Sequence, residues 1–396
     1  MYPTRHVDFE TASQHGRFAR HLVGLKSGIS GPVWNRIGAG LTEGDPLADA
    51  VFAELRDLGS TVRASFQLAA RDGRSALAPA DRERMPALAT FFEEVEETPE
   101  WVDRGLVDLG RRVIDRCHPV PYYVLRNMGL HAGYVWSDLN KPLLMTGALK
   151  GGTRRRQAQT MGWFSDCVSP GGLDVGGSGY CATLHVRLLH ASVRSRLVGR
   201  SDWDENEMGL PINQTDMAAT WLAFSVVLLA GARLMGVRVS KREALAVMHL
   251  WRYACWLMGV DAAWLTDDES AGRRLLFQIT STYRGANEDS RSLGVALDAA
   301  TQQIPYPAFQ SIAWRFERAK HRSVASMVLG PAGMRSLGLP PLTLPWYPAA
   351  AFAWSTIRST VLGWETPLQA AAESRGQEGR DALVRLHFAG EEKDLA

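Results

Sequence analysis

At 396 residues, 46% apolar and 22% charged, the chain can bury a large core and has the balance of a soluble globular protein. A formal net charge of +2, with both signs interspersed, excludes the basic face of a nucleic-acid binder, and the one basic run, residues 150–156, is too short to alter that. The four cysteines, Cys117, Cys167, Cys181 and Cys255, lack metal or redox spacing and are too few for a disulfide framework, so they read as thiols in a reducing compartment.

Apolar residues recur at helical spacing nearly throughout. Residues 48–69 carry them at steps of three and four and predict one helix. Residues 81–96, acidic towards their end, predict an exposed helix. Pro99 opens the next, over 101–116, which stops before Pro119. Residues 122–136 are apolar and aromatic. Gly151 and Gly152 precede a helix from about 154 to 167, a glycine-rich stretch at 170–179 reads as a flexible connector, and a long helix follows over 180–197.

Thr215 is the expected N-cap of a helix over 217–235. Its uncharged part, 217–232, is shorter than the roughly 20 residues of a membrane span, and predicts a core helix instead. Ser240, with Glu243 three residues on, forms a capping box for 242–258. Asp267, Asp268 and Glu269 read as the solvated start of a helix over 269–284. Helices at 293–303 and 309–328 follow. Prolines 331, 340, 341 and 345 break up the rest, and the charged tail, 371–396, reads as loosely held.

Strand-like alternation is scarce and no internal repeat is present. The expectation is an all-α helical bundle: an N-terminal helical region (1–100) packed on a core (101–335), then a C-terminal helix and charged tail (336–396). Residues 1–31 lack the apolar core of a signal peptide, so a cytoplasmic protein without a membrane span is expected.

Several chemistries lose their signatures. Gly177-Ser178-Gly179 has no third glycine and no preceding strand, so the dinucleotide fingerprint fails. HExxH, Gly-x-Ser-x-Gly and paired Glu-x-x-His motifs are absent from the sequence. What remains is Tyr180-Cys-Ala-Thr-Leu-His185-Val-Arg187-Leu-Leu-His190-Ala-Ser-Val-Arg194. His185 and His190 lie about 140° apart around a helix, so only one could serve a given metal. A lone histidine is more often structural than a ligand, and spacing alone leaves His190 open to either reading. On the preceding helix Arg156, Gln159, Thr160 and Trp163 share one face. That face suits a heme pocket, with arginine for a propionate and threonine for a ligand on iron. It suits an amphipathic surface helix equally well.

The spacing of Arg156, Thr160 and His190 resembles that of the latex-clearing-protein rubber oxygenases and MpaB-type oxygenases. Two further stretches are similar to that family: Gly209-Leu-Pro-Ile-Asn213-Gln214-Thr215-Asp216-Met217, with Thr220, Phe224 and Ser225 after it, and His249-Leu-Trp251-Arg252-Tyr253, ending at Leu257-Met-Gly259-Val260. Together the motifs run from about 110 to 290. The resemblance implies a globin-like core with a non-covalent heme b, His190 as the proximal iron ligand, and Arg156 and Thr160 lining the heme pocket.

Oxidative cleavage of a carbon–carbon double bond with dioxygen is the implied reaction. The chain departs from the family at two places: Gln159 stands where rubber oxygenases carry a lysine that can reach iron, and Asn140 stands near an expected acidic base. Asp138 is the nearest candidate base. The secretion signal of the rubber oxygenases and the anchor of the MpaB type are missing, which points to a small hydrophobic unsaturated substrate rather than polymeric rubber. The alternatives are a heme enzyme using peroxide, or catalysing a rearrangement or dehydration, and a non-catalytic heme carrier or sensor.

Overall fold

The computed structural model describes residues 2–15, 28–147, 152–361 and 366–389. The start of the basic run, the end of the charged tail and part of the N-terminal stretch lie outside them. All regular structure among the described residues is helical, so the all-α expectation holds.

The expected helix at 48–69 is two, Pro46–Leu58 and Ser60–Asp72. Gly59 divides them at φ 64°, a conformation open to glycine and strained for other residues. The expected exposed helix at 81–96 is also two, Pro79–Arg84 and Pro86–Glu96, because Pro86 cannot continue the first. The second is not an exposed helix. Its acidic residues Glu93 and Glu94 face outward, but Leu88, Phe91, Phe92 and Val95 are fully buried.

The helix Gln214–Leu234 runs through the centre of the protein. It is capped by Asn213, whose side chain accepts from the Asp216 amide at 3.0 Å, and not by Thr215, whose hydroxyl donates to the Ile37 carbonyl at 2.8 Å. By length and composition it could cross a membrane, yet most of it is buried, with Trp221, Leu222, Val226 and Leu229 in the core. Its middle turn, Ala223–Val227, widens to a π-helix and packs on a second π segment, Leu125–His131. The capping box is formed as expected: Ser240 accepts from the Glu243 amide, and Glu243 from the Ser240 amide.

The tail is not loosely held over its described part. Helix Thr366–Phe388 packs on Arg104–Arg116 and Thr153–Cys167. Ala372, Val384 and Phe388 are buried there, and Arg380 pairs with buried Asp115 at 2.9 Å. One apolar core draws side chains from Ala12 to Val324, so the N-terminal helices share it with the segments that carry the site.

Candidate functional site

The site begins with two helices in close contact, Thr153–Cys167 and Ser178–Leu197. The loop between them is closely packed rather than a loose connector. A Cβ on Gly172 would stand 2.0 Å from the Asp166 carbonyl oxygen, and one on Gly179 would stand 2.6 Å from the Cys167 backbone. Only glycine lets the second helix start this close to the end of the first. Trp163 fixes their register: its indole N–H donates to Thr183 Oγ1 at 2.9 Å, and that hydroxyl donates to the Gly179 carbonyl at 2.6 Å. Trp163 then meets Phe224 edge-on and Trp251 at a tilt in an aromatic cluster.

Two buried arginines aim the His190 helix. Arg187 and Arg194 stand three residues before and four after His190, on its face of the helix. The Arg187 guanidinium grips Asp45 through two bonds of 2.7 and 3.0 Å and reaches the Leu257 carbonyl at 3.3 Å. Arg194 donates to Asp49 at 2.9 Å and to the Ile212 carbonyl at 3.1 Å. His190 between them makes no hydrogen bond among the described residues, and its Nδ1 is buried without a partner. Burial, then Arg194 and Arg156, push its pKa down to about 4, so at neutral pH the imidazole is uncharged and keeps a lone pair for a metal.

Arg156 is near enough to contribute to that shift. It has no ion pair or hydrogen bond among the described residues, and burial lowers its own pKa, with Tyr134 as the one opposing influence. Even so, Arg156, Thr160 and Leu189 keep open surface, and His190 keeps some. Protein surrounds the Arg156 guanidinium closely enough to desolvate it, while part of the residue stays open. The structure therefore brings Arg156 and His190 together, with Thr160 on the Arg156 face and Gln159 beside it.

Asp138 is placed differently. Arg284 covers both its oxygens, donating from its backbone amide to Oδ2 at 2.9 Å and from Nε to Oδ1 at 2.7 Å. Burial raises its pKa against these bonds. Among the described residues no contact joins it to Arg156, Thr160 or His190. Asn140 is buried too, donating to the Tyr134 carbonyl at 2.9 Å and to Ser290 at 3.1 Å. His185 turns away: its Nδ1 donates to the Cys181 carbonyl at 2.7 Å and its ring meets Phe66 edge-on.

The two other motifs are framework. Gln214 donates to the carbonyls of Gly44 and Gly259, each at 2.9 Å, and accepts from the Asp261 amide at 2.9 Å. Asp216 accepts from Arg5 and from Tyr283. His249 accepts from the Asp103 amide at 2.8 Å, and Arg252 lies over the Trp101 ring.

Sequence reasoning missed a buried relay beside the Arg156 helix. Arg126 donates to Asn127 Oδ1, which turns the Asn127 amide nitrogen onto His321 Nδ1 at 3.0 Å. His321 then carries its proton on Nε2 and donates to the Tyr122 oxygen at 3.2 Å. His387 donates from Nδ1 to the Leu383 carbonyl, so its Nε2 accepts from the Tyr122 hydroxyl at 3.1 Å. With members at 122, 321 and 387, this chain of bonds has no local sequence signal.

The family model described as "ER-bound oxygenase mpaB/B'/Rubber oxygenase, catalytic domain" matches residues 122–361, well past the last motif near 290. A rubber oxygenase of Streptomyces sp. (strain K30) is 27% identical over 180 residues, 44% of this chain and 43% of the relative. The match thus spans less than half the length of that curated relative. The solved structure of latex clearing protein LCP in the closed state aligns with a TM-score of 0.67 at 18% identity, over 92% of this chain and 93% of that one, a likeness of fold. With the family model covering more than half of its residues, the chain belongs to the MpaB and rubber oxygenase catalytic-domain family.

Proposed function

We propose that this chain is a heme b-dependent oxygenase for a small, hydrophobic, unsaturated substrate. The observation that carries the reading is the pairing of a neutral, unbonded imidazole at His190 with an enclosed guanidinium at Arg156 that lacks an acidic partner. A desolvated cation without a counter-charge is costly, and a propionate is the partner it fits. His190 would hold iron, Arg156 a propionate, and Thr160 and Gln159 the rim of the pocket. Bound heme would supply the dioxygen chemistry that side chains cannot.

The remaining work belongs to the chain. Arg187 and Arg194 keep His190 in place through Asp45 and Asp49. Thr160 offers a hydroxyl that donates or accepts a hydrogen bond at the pocket face. Asp138 holds Arg284 through both oxygens, so service as a base would mean loosening that ion pair. Gln159 stands where rubber oxygenases carry a lysine, and a neutral amide is a poor ligand for iron, so bound iron would remain accessible to small ligands.

Heme content and the Soret band, measured for His190→Ala and His185→Ala, test the reading. His190→Ala should lose heme or change its spectrum sharply while His185→Ala keeps both; an unchanged band in both variants overturns the assignment. Oxygen uptake with a candidate alkene then separates an oxygenase from a heme carrier.

A further inference from the structure

The face opposite in character to the enclosed site lies on the long helix Gln310–Ser336 and the apolar helix Trp346–Val361, which pack together. Large apolar side chains stand open along it: Ile312, Phe316, Leu344, Trp346, Ile357 and Trp354, the last 66% exposed. Phe316 and Trp346 touch, with ring centroids 5.9 Å apart, so the two helices contribute to one patch. A groove of about 400 Å³ runs between them, lined by Trp314, Arg315, Arg318, Arg322 and Trp346. Soluble proteins rarely leave such a patch uncovered, and a contiguous one marks an interaction surface.

Charge identifies the occupant. Residues 309–361 hold six basic residues and one acidic, a net +5 in a chain whose total is +2, so the rest of the molecule is acidic. Arg318 and Arg322 share the single carboxylate of Asp298, which leaves the cluster positive. Arg315 and Arg358 have no ion pair among the described residues. A second copy would bring the same positive charge against itself. An anionic lipid surface supplies the opposite charge and a place for the tryptophans, whose rings favour the boundary between headgroups and hydrocarbon. Arginine among exposed tryptophan, phenylalanine and leucine is the composition of a face that lies on a bilayer rather than one that crosses it.

We infer that this face docks on anionic membrane surfaces, with Trp346, Trp354 and Ile357 entering the headgroup layer and the arginines meeting lipid phosphates. The inference does not depend on what the enclosed site binds.

Flotation with two vesicle types tests it: phosphatidylcholine alone, and phosphatidylcholine with about a third phosphatidylserine, which lets the polybasic face act. The full chain should partition at least tenfold more strongly onto the second, with a blue shift in tryptophan emission, and half-molar salt should weaken the binding. Trp354→Ser with Ile357→Ser should lose at least tenfold of it while the circular dichroism spectrum is unchanged. Should that pair disturb folding, Arg315→Gln with Arg358→Gln provides the second route, with a severalfold loss on phosphatidylserine vesicles. Equal binding of wild type and folded variants, no binding to either vesicle, or a wild-type dimer in solution that these substitutions dissolve would each overturn the proposal, the last by making a second copy the occupant.

Discussion

Two polar regions meet at the His190 helix, and they differ in how their groups are partnered. At the junction of Asp45, Arg187, Gln214 and Gly259 the polar groups are engaged: the guanidinium is held in a fork, and the amide bonds on both sides. At the pocket, a few residues along the same helix, His190 and Arg156 have no partner among the described residues. The junction is closed off and satisfied, whereas the pocket residues keep some open surface and are not. A satisfied buried network holds elements in place, whereas an unsatisfied one is a cost to the folded chain unless a ligand removes it. His190 and Arg156 stand next to that junction, which holds the helix that carries the imidazole.

The largest effect should come from breaking the satisfied region. Asp45→Ala leaves the Arg187 charge buried and alone, and urea unfolding should show a loss of about 3–5 kcal/mol. Replacing both partners by apolar residues, Asp45→Leu with Arg187→Met, should cost much less. If the single and double variants unfold alike, the pair is not what holds the junction.

Acid sharpens the comparison for groups whose satisfaction depends on charge. His131 and His387 are buried, and burial pushes each down to about 4. An unfolded histidine titrates near 6.5, so between there and 4 the unfolded chain takes up protons that the folded one refuses. Stability is therefore fully present above pH 6.5 and falls as the pH drops through that window, by at most roughly 3 kcal/mol per histidine. Asp115, raised by burial to about 6, works the other way, because its carboxylate is relieved on protonation. The two histidines outweigh it. Urea midpoints from pH 7 to 4.5 should fall, and a rise would mean that the carboxylates dominate.

At the pocket the sign of the mutational effect should reverse. Arg156→Leu removes an unpaired, partly desolvated cation, so heme-free protein should be as stable as wild type or more so. Heme affinity should drop tenfold or more, as expected from losing a charge-assisted bond of about 1.5–3 kcal/mol. Arg156→Lys keeps the charge but not the planar fork and should fall between. Heme transfer to apomyoglobin, timed beside thermal melts of the apo forms, reads both quantities; a destabilised apo Arg156→Leu would place Arg156 among the satisfied groups.

The smallest effect belongs to local chemistry far from either region. Ser240→Ala opens the capping box and should cost about 1 kcal/mol without altering heme binding.

These regions differ as much in how far they can be read from the chain. Helical periodicity is local, so the all-α fold and most helices follow from spacings of three and four residues, and the Ser240 capping box follows from a pair three apart. The breaks at Gly59 and Pro86 went unread because one apolar stripe can run across two helices. Acidic residues near the end of Pro86–Glu96 masked a face that carries Phe91 and Phe92, since a helix has two faces and composition averages them. The glycines at 172–179 look like slack in a sequence and act as close contacts in the fold. Local propensity also could not decide between Asn213 and Thr215 as cap, because the Thr215 hydroxyl is drawn to Ile37, 178 residues away.

By itself, then, the sequence determined helix, the Arg156 face, the exclusion of His185 as a partner for His190, and through its motifs the family. Those are matters of spacing within one or two helices and of order along the chain. Only the tertiary structure decided which polar residues find partners. Arg187 needs Asp45, Asp138 needs Arg284, and Tyr122 needs His321 and His387, each more than a hundred residues distant in sequence. A hydrogen bond is made at about 3 Å, and only packing brings groups so far apart along the chain to that distance, so a satisfied arginine and an unsatisfied one look the same until the chain is folded.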